Sequence, residues 1–182
     1  MTEREADAPA DEALIERWRQ GDQRAATALV ERHAPALARF LSSVGVREEV
    51  DELVQDTFVR AFGALDSFRG DSSFRTWLFT IARRLELDRR RSARRRGASV
   101  PVEESDAVAS FDALDGMVAD ETASRLREVV GRLSPTQREV FTLRVVEGMS
   151  YKEIADVVGT TEGAARVHYH NAMRAVKEMI GD

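Results

Sequence analysis

Apolar residues recur at spacings of three and four along most of the chain, strict alternation is almost absent, and only four prolines interrupt the pattern. This rhythm predicts an all-α protein. A first helix fits residues 10–20 and stops at Gly21. Asp22 then caps a second, which runs to about Ser43 with a bend at Pro35. A third fits Arg47 to Leu65, with Val50, Leu53, Val54, Phe58, Ala61 and Phe62 on one face and Asp51, Glu52, Gln55 and Asp56 left in water. The loop DSFRGDSS follows. Ser72 or Ser73 opens a fourth helix, in which Phe74, Trp77, Leu78, Ile81, Ala82 and Leu85 have the spacing of a buried stripe.

Past Gly97 the rhythm breaks. Residues 98–124 hold seven acids, no base and no sustained apolar stripe. Beyond them four helices fit, near 123–132, 135–147, 151–158 and 162–180. Ser134-Pro-Thr-Gln137 and Ser150-Tyr-Lys-Glu153 are capping-box patterns, and Gly148 and Gly159 sit where helices stop. The expected organisation is a disordered tail (1–9), a helical domain (10–97), a flexible acidic linker (98–122) and a second helical domain (123–182).

The segment SYKEIADVVGTTEGAARVHYHNAMRAVKEM has helix-turn-helix anatomy: a short helix, a tight turn at Gly159-Thr-Thr161 and a second amphipathic helix. In the second helix Ala165, Tyr169, Ala172, Val176 and Met179 fall within about 80° of one another and point inward. Ala155, Gly163, Ala164 and Ala165 are small enough to let the two helices approach closely. The outer face presents Arg166, Val167, His170, Asn171 and Arg174, side chains suited to base edges and phosphates, and the helix start near Thr161 favours phosphate. A plain helical bundle with a wet polar face is the competing reading. His168 and His170 lie about 200° apart on a helix and so do not share a metal ion; His33 stands alone.

Charge sharpens the picture. The chain carries -5 overall, yet residues 74–96 hold nine arginines against two acids, a local +7 that leaves -12 on the rest. Such a field faces a polyanion unless it is only a solvated helix face. Arginines beside Phe68, Phe74, Trp77 and Phe79 suit a single strand, whose backbone is neutralised while its bases stack or enter pockets. Phe74 and Trp77 are core first by spacing, whereas Phe68 lies in the Gly-containing loop. With no cysteine there is no disulfide or thiol nucleophile. Hydrophobic residues at 43% permit a core, apolar runs are too short for a membrane span, and the acidic start MTEREADAPADEA is unlike a leader. A cytoplasmic, non-enzymatic protein without cofactors is expected, since no nucleophile–base pair, phosphate loop or metal-spaced carboxylate cluster is present.

EVDELVQDTFVRAFGALDSFRGDSSFRTWLFTIARRLELDRRR resembles region two of bacterial extracytoplasmic-function sigma factors, and LSPTQREVFTLRVVEGMSYKEIADVVGTTEGAARVHYHNAMRAVKE resembles their region four. The resemblance runs from about residue 12 to 180. It implies a subunit that binds RNA polymerase core, recognises -35 and -10 promoter elements and helps melt DNA. Asp51, Glu52, Gln55 and Asp56 would dock on the beta-prime clamp, and region four would meet the beta flap. Phe68, Arg69, Ser72, Arg75, Trp77, Arg83, Arg84, Arg90 and Arg91 would serve the -10 element, with Phe68 lining a pocket for an unstacked base. Thr161, Arg166, Val167, His170, Asn171 and Arg174 would serve the -35 element. An anti-sigma factor is an implied partner. Arg84 stands where the family commonly has Asn in its IARN pattern, so the -10 base is not borrowed from relatives. The second block also resembles LuxR-type output domains. A stand-alone helix-turn-helix regulator is therefore the alternative, and it leaves the aromatic–arginine block without a task.

Overall fold

The computed structural model describes residues 10–97 and 128–180, and every regular element among them is helical. The tail expected over 1–9 and the linker expected over 98–122 lie outside the described residues. Helix α1 spans Asp11–Arg19, with acids in its first turn and arginines in its last, as the helix dipole favours. Asp22 ends the corner after it. Its carboxylate accepts from the Arg24 N–H to cap α2 (Gln23–Ser43) and from the Arg17 guanidinium, at 2.7 Å. Helix α2 continues through Pro35, which can supply no N–H to the ladder there. Helix α3 spans Val50–Gly63 and starts three residues later than the apolar pattern predicts. The reason is local: Gly45 (φ 96°) and Glu49 (φ 67°) take left-handed conformations, which a right-handed helix cannot incorporate.

A 3-10 turn, Leu65–Ser67, leads to the loop before α4 (Phe74–Arg95). Ser73 caps α4 by accepting from the Thr76 N–H. Phe74, Leu78, Phe79, Ala82 and Leu85 are buried against α2 and α3, and Phe79 meets Phe40 with ring centroids 5.2 Å apart. Burying each such aromatic contributes about 1.5–3 kcal/mol. Phe79 is thus core, not a stacking platform. The α1 end is closed by Trp18 on Phe62 and by Asp11, which bonds Arg32 at 2.6 Å and the buried His33 at 2.8 Å.

In the C-terminal part a helical turn over 128–131 is tied to α5 (Pro135–Phe141) by Arg138, which donates to the carbonyls of Val130, Gly131 and Leu133. Helix α5 widens into a π turn, Thr142–Val146, within the single helix expected over 135–147. Helix α6 (Tyr151–Val158) ends at Gly159 with φ 71°, and α7 spans Glu162–Ile180. Both capping boxes form, at Ser134/Gln137 and Ser150/Glu153. A cap of this kind contributes about 1 kcal/mol. Ala155 and Ala165 are buried between helices, but Gly163 is exposed with open space around its Cα, so it does not serve close approach.

Among the described residues two apolar clusters result. A small one joins the 128–131 turn, Phe141 and α7 through Val130, Leu133, Ala172 and Val176. The large one is continuous from α1–α4 into Val140, Leu143, Met149, Ile154 and Val157. Helix α6 of the helix-turn-helix therefore rests on α4, while α5 and its π turn touch α2.

Candidate nucleic-acid interface

Helix α3 places Asp51, Glu52, Gln55 and Asp56 on its exposed side, as its amphipathic pattern requires. The structure adds what the charge pattern missed. Asp51 and Gln55 border an apolar groove formed by Val30 of α2 with Val54, Phe58, Val59 and Phe62 of α3. Val59 is 64% exposed. One apolar residue on the wet side of an amphipathic helix was the available signal.

The loop and helix assigned to the -10 element lie together. Arg69 is exposed and Ser72 half-buried. Phe68 is half-buried rather than projecting freely: its ring lies 5.0 Å from Trp77 and 5.9 Å from Phe74. The loop folds back because Arg19 donates to the carbonyls of Leu65 and, more weakly, Phe68. One aromatic surface, part core and part solvent-facing, is the outcome.

The arginines of α4 divide by depth. Arg84, Arg94, Arg95 and Arg96 are exposed, and Arg91 makes only a loose 3.6 Å pair with Asp88. Arg90 binds Glu86 and the Val44 carbonyl, fixing α4 to the end of α2. Arg75 and Arg83 instead face the C-terminal part. Arg75 donates to the Glu147 carboxylate at 2.5 Å and to its carbonyl at 2.7 Å, and Arg83 pairs with Glu139. Arg39 of α2 also reaches Glu147, at 3.2 Å, and Thr76 donates to Glu153 at 3.1 Å. Burial pushes the Glu139 carboxyl up despite the Arg83 and Arg90 charges. Burial likewise raises Glu86, opposed by Arg90 and reinforced by the Glu139 charge. For Glu153 burial acts upward but is outweighed by hydrogen bonds from Ser150 and Thr76 and by Arg75, so its carboxyl is held low.

Helix α7 presents its outer face as expected: Arg166, Val167, His170 and Arg174 are exposed, and Asn171 is half-buried. Thr161 caps the helix through the Ala164 N–H. Arg166 is held by Glu162 at 2.8 Å and lies 5.0 Å over the Tyr151 ring, which Arg144 approaches at 4.7 Å. Asn171 accepts from Arg174 at 3.3 Å. His168 is half-buried and His170 exposed. Among the described residues no cluster of three or more His, Cys, Asp or Glu has metal-binding geometry, and no helix is long and apolar enough to cross a membrane.

A basic, aromatic-backed helix and a helix-turn-helix packed against it, carried on one all-α chain, have the form of a helical nucleic-acid-binding protein. Residues 29–96 match Sigma-70 region 2, and residues 123–176 match Sigma-70, region 4. The chain is 34% identical over 93% of its length to the ECF RNA polymerase sigma-E factor of Salmonella typhimurium, covering 94% of that protein. It is 38% identical over 87% of its length to RNA polymerase sigma factor NccH of Alcaligenes xylosoxydans xylosoxydans, covering 88% of it. Among solved structures, CnrH in complex with the cytosolic domain of CnrY superposes with TM-score 0.69 at 32% identity, covering 95% of this chain and 98% of that one. The sigma factor RpoE of Bartonella quintana, solved with the anti-sigma factor NepR, shares the fold with TM-score 0.64, covering 85% and 96%. The chain belongs to the ECF sigma factors, which bind RNA polymerase and direct transcription initiation at promoters. The LuxR-like alternative is not favoured, because it leaves the region 2 match unaccounted for.

Proposed function

We propose that this sigma factor divides promoter reading between its two helical parts and docks on polymerase through α3. Asp51, Glu52, Gln55 and Asp56 meet basic residues of the polymerase clamp, while the adjoining Val59–Phe62 groove takes apolar side chains. Phe68, Arg69, Ser72, Trp77 and Arg84, with Arg75, Arg83, Arg90 and Arg91 supporting the phosphate path, engage the -10 strand. Thr161, Arg166, Val167, His170, Asn171 and Arg174 engage the -35 duplex, with Val167 suited to a thymine methyl. The observation that carries this reading is α4 itself, whose inner side is aromatic core and whose outer side holds exposed arginines beside the Phe68–Trp77 stack. The factor has no chemistry of its own and works in the cytoplasm. An anti-sigma factor is its expected regulator, as CnrY and NepR are bound to the related CnrH and RpoE.

Run-off transcription with core polymerase on a genomic promoter library tests the reading. Start sites sharing a -10 and a -35 motif, lost together with Asp51→Lys/Asp56→Lys, are expected. Specific duplex binding without core, and no transcription with it, would return the chain to the regulator class.

A further inference from the structure

Arginine and tyrosine side chains from three successive elements meet where α6 begins. Gly148, with φ 67°, turns the chain out of the π turn, and the Ser150/Glu153 box starts α6 at once, so Tyr151 is its first helical residue. The Arg144 guanidinium, from the π turn, donates to the Met149 carbonyl at 2.7 Å and lies 4.7 Å from the centre of the Tyr151 ring. Arg166, one turn into α7, lies 5.0 Å from the same centre. Tyr169 of α7 completes the group in a T-shaped contact with Tyr151, the ring centroids 5.9 Å apart. The buried Ala155 and Ala165 let α6 and α7 approach closely enough for these contacts.

Arg166 has a second hold. Its Nη2 donates to Glu162 at 2.8 Å, one turn earlier in α7. The side chains of that pair are 52% and 54% exposed, and exposed pairs at this spacing contribute little and fade with salt. The aromatic face carries the rest, since a guanidinium over a ring is held by the ring quadrupole as well as by contact. We propose that Tyr151 is a positioning residue for -35 recognition: its ring holds the Arg166 guanidinium in place before DNA arrives, and Arg144, itself tied to Met149, holds the ring. This rests on the reading of α7 as the -35 helix. Glu162 takes a single Nη2 bond, so the other Arg166 donors are left for a guanine edge, which arginine recognises in bidentate fashion. A side chain already ordered loses less freedom on binding, and ordering one long side chain corresponds to about 2- to 12-fold in affinity. That gain appears only where a base accepts from Arg166. Tyr151 thus sharpens discrimination at one base pair without touching it.

The test offers full-length holoenzyme, reconstituted with core polymerase, promoters randomised across the -35 element and sequences the transcribed pool. Arg166→Ala first identifies the base pair that Arg166 reads. Tyr151→Leu keeps an apolar side chain against Tyr169 and removes the ring face, whereas Tyr151→Phe keeps the face and removes only the hydroxyl. At that base pair alone, Tyr151→Leu should lower the preference by about 2- to 12-fold, and Tyr151→Phe should restore it. In the Arg166→Ala background Tyr151→Leu should have no further effect on preference, a non-additivity that a merely structural tyrosine does not produce. Arg144→Gln leaves the ring in place and should give a smaller loss at the same pair; it supplies the answer if thermal denaturation shows Tyr151→Leu to be unfolded. Equal weakening across all sequences by Tyr151→Leu and Tyr151→Phe would make Tyr151 a phosphate contact through its hydroxyl and overturn the proposal. An unchanged preference in the folded variants, while Arg166→Ala still alters it, overturns it too. If Arg166→Ala shifts no base preference, the assignment of Arg166 to the -35 bases is what fails, and positioning by Tyr151 falls with it.

Discussion

Replacing Phe68 separates promoter opening from promoter binding. Its ring covers Trp77 at 5.0 Å and Phe74 at 5.9 Å, so removing the side chain affects both the fold and any stacked base. Full truncation of a buried Phe costs about 3–5 kcal/mol. For a half-buried ring roughly half of that is expected, so Phe68→Ala confounds the two effects. Phe68→Leu does not. It keeps most of the apolar volume over Trp77 and should cost under about 1.5 kcal/mol of stability. It does lose the π face, and stacking of an aromatic on a base is worth about 1–3 kcal/mol. That corresponds to a fall of roughly 5- to 150-fold in the opening equilibrium, since about 1.4 kcal/mol is tenfold. The Leu holoenzyme should therefore bind closed promoter normally and form fewer permanganate-reactive complexes on linear DNA. A premelted bubble template should restore much of the lost transcription. Normal opening by Phe68→Leu, with denaturation confirming a native fold, would show that the ring only covers Trp77 and that bases are captured elsewhere.

Four further outcomes are expected. Asp51→Lys/Asp56→Lys should abolish competition for core polymerase while changing unfolding free energy by less than about 1 kcal/mol, because both side chains are exposed. His170→Ala and Val167→Ala should relax the tolerated -35 bases, at about 1–3 kcal/mol for a genuine base contact, read by selection from randomised promoters; uniform loss across sequences would leave α7 bound to phosphate alone. Neutralising Arg94, Arg95 and Arg96 should weaken DNA binding evenly and lower its salt slope by about 0.9 for each phosphate that is no longer neutralised. Asp11→Asn should cost about 1–3 kcal/mol through its bonds to Arg32 and His33. Burial acts to raise the Asp11 carboxyl, but His33 and Arg32 outweigh it and the net direction is down. Its contribution is therefore present above the ordinary aspartate range and is lost as pH falls below that range through the lowered folded value. The stability gap between wild type and Asp11→Asn should close on acidification, and a constant gap would contradict the pairing.

How much of this was legible in the chain depends on the range of the interactions. Helix identity, the α4 stripe, both capping boxes and the outer face of α7 follow from residues within a few positions of one another, where period and cap chemistry act directly. The late start of α3 was not legible, because Glu49 takes a left-handed conformation that no apolar period announces. His33 looked solitary because its partner, Asp11, lies 22 residues away on a helix whose packing is tertiary. Gly163 looked like a contact residue from its size alone, and the structure leaves it open.

Glu147 is the clearest case of what local pattern withholds. Beside Gly148 and ahead of a capping box, it reads as the polar end of a helix in water. Its burial comes from Arg39 and Arg75, which are 108 and 72 residues away and arrive only because α2 and α4 pack on the C-terminal helices. A carboxylate buried with two guanidiniums is stable only while both remain, since desolvating an unpaired charge costs several kcal/mol. The +7 of the basic helix thus had two destinations in the same molecule: Arg84 and its neighbours turn outward toward a strand, while Arg75 and Arg83 turn inward to acids. Charge counting could find the helix. Only the fold could say which of its arginines were already taken.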